Sequence, residues 1–265
     1  MSGPSPPALR RGAGPAHSCA GHDQRVDAVS SFWDQVTASS PPLPGGLLVL
    51  TAVLAAAVVW SRALWSRARH SVTIAHEGAH GLAALVTGRR LAGIRLHSDT
   101  SGVTVSAGRP TGPGMVLTAA AGYTGPGLFG LGAAALLAAG HAIGLLWALL
   151  LLLALLLVQI RNWYGLWSVL VTGALVFAAT WWLPATGQAV FAHVVTWFLL
   201  LAAPKTVLEL QAKRRSGSAR DSDADQLARL TGLPGLAWVA VFLLVDVGAL
   251  LLGAWWLLHA SAVLP

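Results

Sequence analysis

Residues 71–88, SVTIAHEGAHGLAALVTG, decide how the rest of the chain is read. Their Val, Ile, Leu and Ala content makes the stretch long and apolar enough for a membrane helix. It nevertheless carries His76, Glu77 and His80, a complete H-E-x-x-H. On a helix the two imidazoles fall four residues apart on one face, spaced to grip one divalent cation. The glutamate between them is placed to act on a water held at that cation. Ionisable side chains are expensive inside a span, and three within five residues point to function.

The apolar character extends outward over the whole chain. Of 265 residues, 55% are hydrophobic and only 10% are charged, against about 25% charged in an ordinary soluble domain. The fold class this implies is an all-α polytopic membrane protein of about seven transmembrane helices. They are expected over 45–61, 71–88, 114–138, 142–158, 163–183, 188–203 and 235–258. The net charge of +7 is no nucleic-acid signal, because Lys and Arg fall between the apolar runs; the partner it implies is the lipid bilayer. One cysteine, Cys19, excludes an intrachain disulfide. Residues 1–44, rich in Pro, Gly and Ser and lacking a signal-peptide core, read as a disordered tail ahead of one membrane domain over 45–265.

Seven crossings with a cytoplasmic N-terminus put 14 of the 17 Lys and Arg inside and only Arg62, Arg67 and Arg69 outside. That bias favours N-in insertion in the cell membrane. Between the second and third spans, Ile94-Arg95-Leu96-His97 and Val103-Thr104-Val105-Ser106 alternate apolar and polar residues around the turn-forming Ser98–Gly102. This pattern predicts a short β-hairpin on the cytoplasmic side.

Two imidazoles and a carboxylate suit zinc, one ion per chain, with Glu77 as general base. H-E-x-x-H supplies two ligands, and three aspartates compete to be the third. Asp223 and Asp225 lie in a polar segment before the last span, whereas Asp246 sits within that span, where a lone carboxylate needs a partner. Asn162, beside Arg161, could present its amide to a substrate backbone. The small residues of Gly122–Gly127 suit close helix packing, and the pairs Trp181-Trp182 and Trp255-Trp256 suit interfacial anchors.

The ordered set resembles the M50 site-2 protease class of intramembrane zinc metallopeptidases, in its M50B-like bacterial branch. The matching pieces are His76–His80, the hairpin, Ala121–Gly127, Arg161-Asn162 with Gly165, and Ser222–Leu227 with Thr231 and Pro234. They span roughly residues 45 to 258. The resemblance implies zinc ligands at His76 and His80, a general base at Glu77 and a third ligand at Asp223. It also implies a site opening toward the cytoplasm. The Asp-Gly that ends the wider class's N-x-x-P-x-P-x-x-D-G motif is not present.

The function expected is a zinc-dependent endopeptidase that cleaves in or near transmembrane segments of membrane proteins. Two alternatives stand beside it. A catalytically silent scaffold binding transmembrane partners would not need Glu77. A transporter using His76, His80 and Asp246 would be expected to show two related halves, and the sequence has no such symmetry.

Overall fold

The computed structural model describes residues 39–218 and 221–260, together with Gly3, Ser30, Trp33, Asp34, Val36 and Thr37. Most of the tail expected over 1–44 lies outside the described residues. Of its last residues, Ser40 donates its amide to the Gly140 carbonyl at 2.7 Å and Leu43 is buried.

The body begins with α1 (Gly45–Trp60) and α2 (Arg62–Val86), which meet at Ser61 with a bend of 98°. Ser61 is extended, and its hydroxyl accepts from the Leu64 amide at 3.5 Å, so it starts a new helix instead of continuing the old one. The bend exposes carbonyls at the end of α1, and Lys205 donates its ammonium to one of them, Val59. A hairpin follows, β1 (Arg90–Leu96) and β2 (Gly102–Ala107), antiparallel with a bulge between Leu91 and Gly93. The chain then forms α3 (Pro113–Ala138), α4 (Ala142–Gln159), α5 (Trp163–Trp182) and α6 (Ala185–Arg215). A short α7 (Asp223–Thr231) and a long α8 (Gly235–Ala260) complete it.

Four helices, α4, α5, α6 and α8, are each long and apolar enough to cross a bilayer, and α1 with α2 makes a fifth as one bent span. Of the seven separate spans expected from hydropathy, four or five meet this criterion among the described residues. The first two qualify only as one bent pair, because α1 is 16 residues long and the first turns of α2 carry Arg62, Arg67 and Arg69. α3 is 26 residues long, but its glycines, threonines and Pro126 dilute its apolarity below that of a lipid-facing helix. It sits instead at the centre, packed by α2, α6 and α8. Leu151, Leu155, Leu244 and Leu251 on the outer helices are exposed, as lipid-facing residues of a multi-pass membrane protein are.

The charge pairs bring together residues that the sequence count put on opposite sides. Arg69, assigned outside by the sequence count, has Nη2 3.2 Å from Glu209 Oε2, in the stretch of α6 that carries Lys205 and Lys213. Trp65 Nε1 donates to the other oxygen of Glu209 at 2.8 Å, and Lys205 lies 4.0 Å above the Trp65 ring. The two basic clusters share one end of the bundle.

α2 and α3 run antiparallel in close contact. A Cβ on Gly125 would collide with the Ala79 side chain, and one on Gly114 would stand 3.3 Å from Thr87. Gly125→Val is expected to push α3 off α2 and to cost about 1–3 kcal/mol by overpacking. Gly132→Ala in the same helix meets nothing within 4 Å and is expected to leave stability unchanged or raise it by about 0.5–1 kcal/mol. Thermal unfolding of the two variants in detergent distinguishes these outcomes.

Candidate metal centre

α2 carries His76 and His80 on the face turned to α3, with ring centroids 4.7 Å apart. Their Nε2 atoms are 3.1 Å from each other. His80 Nδ1 lies 2.6 Å from the Thr118 carbonyl of α3. A carbonyl can only accept, so Nδ1 carries the proton and the Nε2 lone pair is left for a cation. α3 can approach this closely because residue 122 is glycine. A Cβ there would stand 2.7 Å from His76 Cε1 and nearer still to His80 Nε2.

Asp223 completes the group. Its Oδ2 is 3.3 Å from both His76 Nε2 and His80 Nε2. The carboxylate opens α7, which docks through Ala224 and Leu227, both fully buried against Ala119, Val207, Val239 and Phe242. The apolar stripe of α7 thus fixes where Asp223 stands. Burial alone would raise the Asp223 carboxyl, but the facing imidazoles of His80 and His76 reverse this and hold it well below the usual carboxylate range.

His76, His80 and Asp223 form a group that could hold a metal ion. Three donor atoms at mutual distances of 3.1, 3.3 and 3.3 Å fit one small cation. Tetrahedral zinc with bonds of about 2.0–2.1 Å separates its ligand atoms by about 3.3 Å. Both the donor chemistry and the spacing suit zinc.

Glu77 is only 3% exposed. Thr104 of β2 donates its hydroxyl to Glu77 Oε2 at 2.6 Å and also lies 3.1 Å from the Glu77 carbonyl. Gly102 of the same strand lies flat over the carboxylate, since a Cβ there would come within 2.5 Å of Oε1. The hairpin therefore covers and orients Glu77. A cavity of about 540 Å³ reaches the group, lined by His76, Glu77, Tyr123 and Asp223 at one side and by Arg69 and Lys213 at another.

The other candidates lie elsewhere. Asp225 accepts from Ser222 Oγ and pairs with Arg214, each at 2.6 Å. Asp246 is fully buried against Gly127 of α3, and neither of its oxygens has a hydrogen-bond partner among the described residues. Asn162 has both ends of its amide on Leu96 of β1, accepting from its N–H at 3.2 Å and donating to its carbonyl at 2.6 Å. With Arg161 N donating to Ile94 O at 2.9 Å, residues 160–162 flank the outer edge of β1. The edge of β2 is the one left unpaired among the described residues.

Sequence reasoning missed Thr104, Thr118 and Tyr123. The Thr118 contact is through a main-chain carbonyl, which leaves no mark in a sequence. Thr104 is an inward residue of an alternating strand, and that alternation was the available signal. Tyr123 sits edge-on to His76 with ring centroids 4.7 Å apart, in the Gly122–Gly127 stretch read only as packing.

Asp223→Ala is expected to lower zinc stoichiometry well below that of wild type, because it leaves only two imidazoles. Asp225→Ala and Asp246→Ala are expected to retain zinc. Metal analysis of the purified proteins checks all three.

Comparison with known proteins places the chain in a family. No curated protein and no solved structure matches it. The family model described as Peptidase M50B-like matches residues 49–253, from α1 through almost all of α8, with the histidine pair, Glu77 and Asp223 inside the matched region. The chain belongs to the Peptidase M50B-like family.

Proposed function

We propose that the protein is a zinc-dependent intramembrane endopeptidase that hydrolyses peptide bonds in or near transmembrane segments of other membrane proteins. The observation that carries this reading is the convergence of His76, His80 and Asp223 beside Glu77, within a helical bundle of the M50B-like family.

In this reading His76 Nε2, His80 Nε2 and Asp223 Oδ2 hold the zinc, and the Thr118 carbonyl fixes the orientation of the His80 ring. Zinc so held supplies Lewis acidity, which makes water a usable nucleophile near neutral pH. Glu77 takes the proton of the attacking water through the oxygen that Thr104 does not occupy. The hydroxyl adds to the carbonyl carbon, the C–N bond breaks, and Glu77 returns the proton to the leaving nitrogen. A helical substrate hides its carbonyls, so the bond must be presented in extended form. The unpaired edge of β2, beside the cavity, suits strand addition. Asn162 serves indirectly in this arrangement, pinning the end of β1 so that the hairpin stays over Glu77.

The end of the bundle that carries the hairpin, the basic end of α6 and α7 is assigned to the cytoplasm of a cell-membrane protein. It carries Arg69 and Lys205 beside Glu209, Lys213 in the cavity wall, and Arg214 and Arg229 paired with Asp225 and Asp221. α1 starts and α8 finishes at the opposite end. With α1 and α2 as one broken span, the N-terminal side is then extracytoplasmic, the reverse of the orientation read from seven separate spans.

Zinc content and cleavage, measured together, test the proposal. Wild type is expected to bind one zinc per chain and to cleave a co-expressed transmembrane substrate. Glu77→Gln is expected to keep the zinc and to lose cleavage by about 10²–10⁴-fold. Cleavage undiminished in that variant would refute the role of Glu77.

A further inference from the structure

Peptide hydrolysis places negative charge on the scissile carbonyl oxygen, and a fixed hydrogen-bond donor aimed at that oxygen is commonly worth about 10²–10³ in kcat. The Asn162 amide is engaged on Leu96. Arg69 pairs with Glu209, and Lys213 is an exposed residue on a flexible side chain.

The hydroxyls lining the cavity are mostly committed as well. Thr73 donates to the Arg69 and Thr100 carbonyls, Thr206 to Ala203 O, Ser101 to Asp99 and Ser222 to Asp225. The Tyr123 hydroxyl has no hydrogen-bond partner among the described residues, and Tyr123 lines the cavity with His76, Glu77 and Asp223. Thr100 is also uncommitted through its side chain, but it belongs to the hairpin tip and is tied to Thr73.

The Tyr123 ring is fixed from two sides. It stacks on Phe242 of α8 with centroids 5.5 Å apart and planes at 18°, and it meets His76 edge-on. Phe242 is fully buried. The ring is thus held against the metal-site histidine, on the wall of the cavity that Glu77 and Asp223 also line. A rigid ring beside His76 whose hydroxyl has no partner among the described residues is built for a substrate atom.

We propose that Tyr123 is a further catalytic residue, whose hydroxyl donates a hydrogen bond to the scissile carbonyl oxygen as it becomes an oxyanion. The inference rests on the peptidase reading above. As the water-derived hydroxyl bonds to the carbonyl carbon, the C=O π pair moves onto oxygen, and Tyr123 O–H stabilises it without giving up its proton. When the C–N bond breaks, that pair re-forms the carbonyl, and the nitrogen takes its proton from Glu77.

The test compares wild type, Tyr123→Phe and Glu77→Gln as full-length proteins in liposomes. The probe is a labelled transmembrane peptide with a central Gly-Pro break, and a phosphonate isostere of its cleaved bond serves as inhibitor. Tyr123→Phe is expected to keep the zinc content and melting temperature of wild type, since no intramolecular hydrogen bond is lost. Its kcat is expected to fall about 10²–10³-fold with KM within about threefold. Phosphonate affinity should fall by a comparable factor, while uncleaved peptide binds Glu77→Gln and Glu77→Gln/Tyr123→Phe equally. A kcat within about threefold of wild type overturns the proposal, as does equal weakening of peptide and phosphonate. Cleavage by wild type but not by Glu77→Gln upholds the peptidase reading whatever Tyr123→Phe does. If wild type fails to cleave, that reading falls and this proposal falls with it.

Discussion

Three donor atoms drawn to within 3.3 Å of one another inside an apolar bundle are the constraint on which the structure turns. Two imidazoles and a carboxylate have no reason to collect there on hydrophobic grounds, because removing such groups from water costs several kcal/mol each without compensation. A shared cation would supply it. Every element nearby serves that convergence. α2 sets the two histidines on one face, and Gly122 lets α3 approach until the Thr118 carbonyl reaches His80. The buried stripe of α7 brings Asp223 across.

The second arrangement concerns Glu77, which the hairpin covers. Thr104 occupies one carboxylate oxygen and Gly102 leaves room for the other. The hairpin is in turn tied down at its tip and along β1. Its tip is held by Thr73, whose hydroxyl donates to the Thr100 carbonyl at 3.0 Å. Its first strand is flanked by residues 160–162, with the Asn162 amide on Leu96. This buttressing leaves only the β2 edge open, next to the cavity and the catalytic carboxylate. Under the proposed function, one small sheet would serve both recognition of an extended segment and its hydrolysis.

His76, Glu77 and His80 were legible in the sequence because a helix maps a five-residue spacing directly onto one face. The hairpin was legible for a similar reason, since the alternation at 94–97 and 103–106 survives in the strands. Asp223 was different. It lies on a separate helix far along the chain, and no local period connects it to the histidines; resemblance to a known family singled it out where burial logic favoured Asp246. The structure shows why that logic misleads, since Asp246 is buried against Gly127, with no bond to the histidine pair. Span boundaries were least legible where backbone direction matters more than hydropathy. α1 is apolar and α2 is so only in its second half, and the chain turns by 98° at Ser61 between them, so the two pass the length-and-apolarity test only as a pair.

The central claim is that His76, His80 and Asp223 together bind zinc, and zinc K-edge X-ray absorption of the purified wild-type protein tests it most directly. The account predicts one zinc per chain, with two imidazoles and oxygen donors only in a first shell at about 2.0–2.1 Å. A protein that retains no zinc, or a first shell containing sulfur or more than two imidazoles, would contradict it.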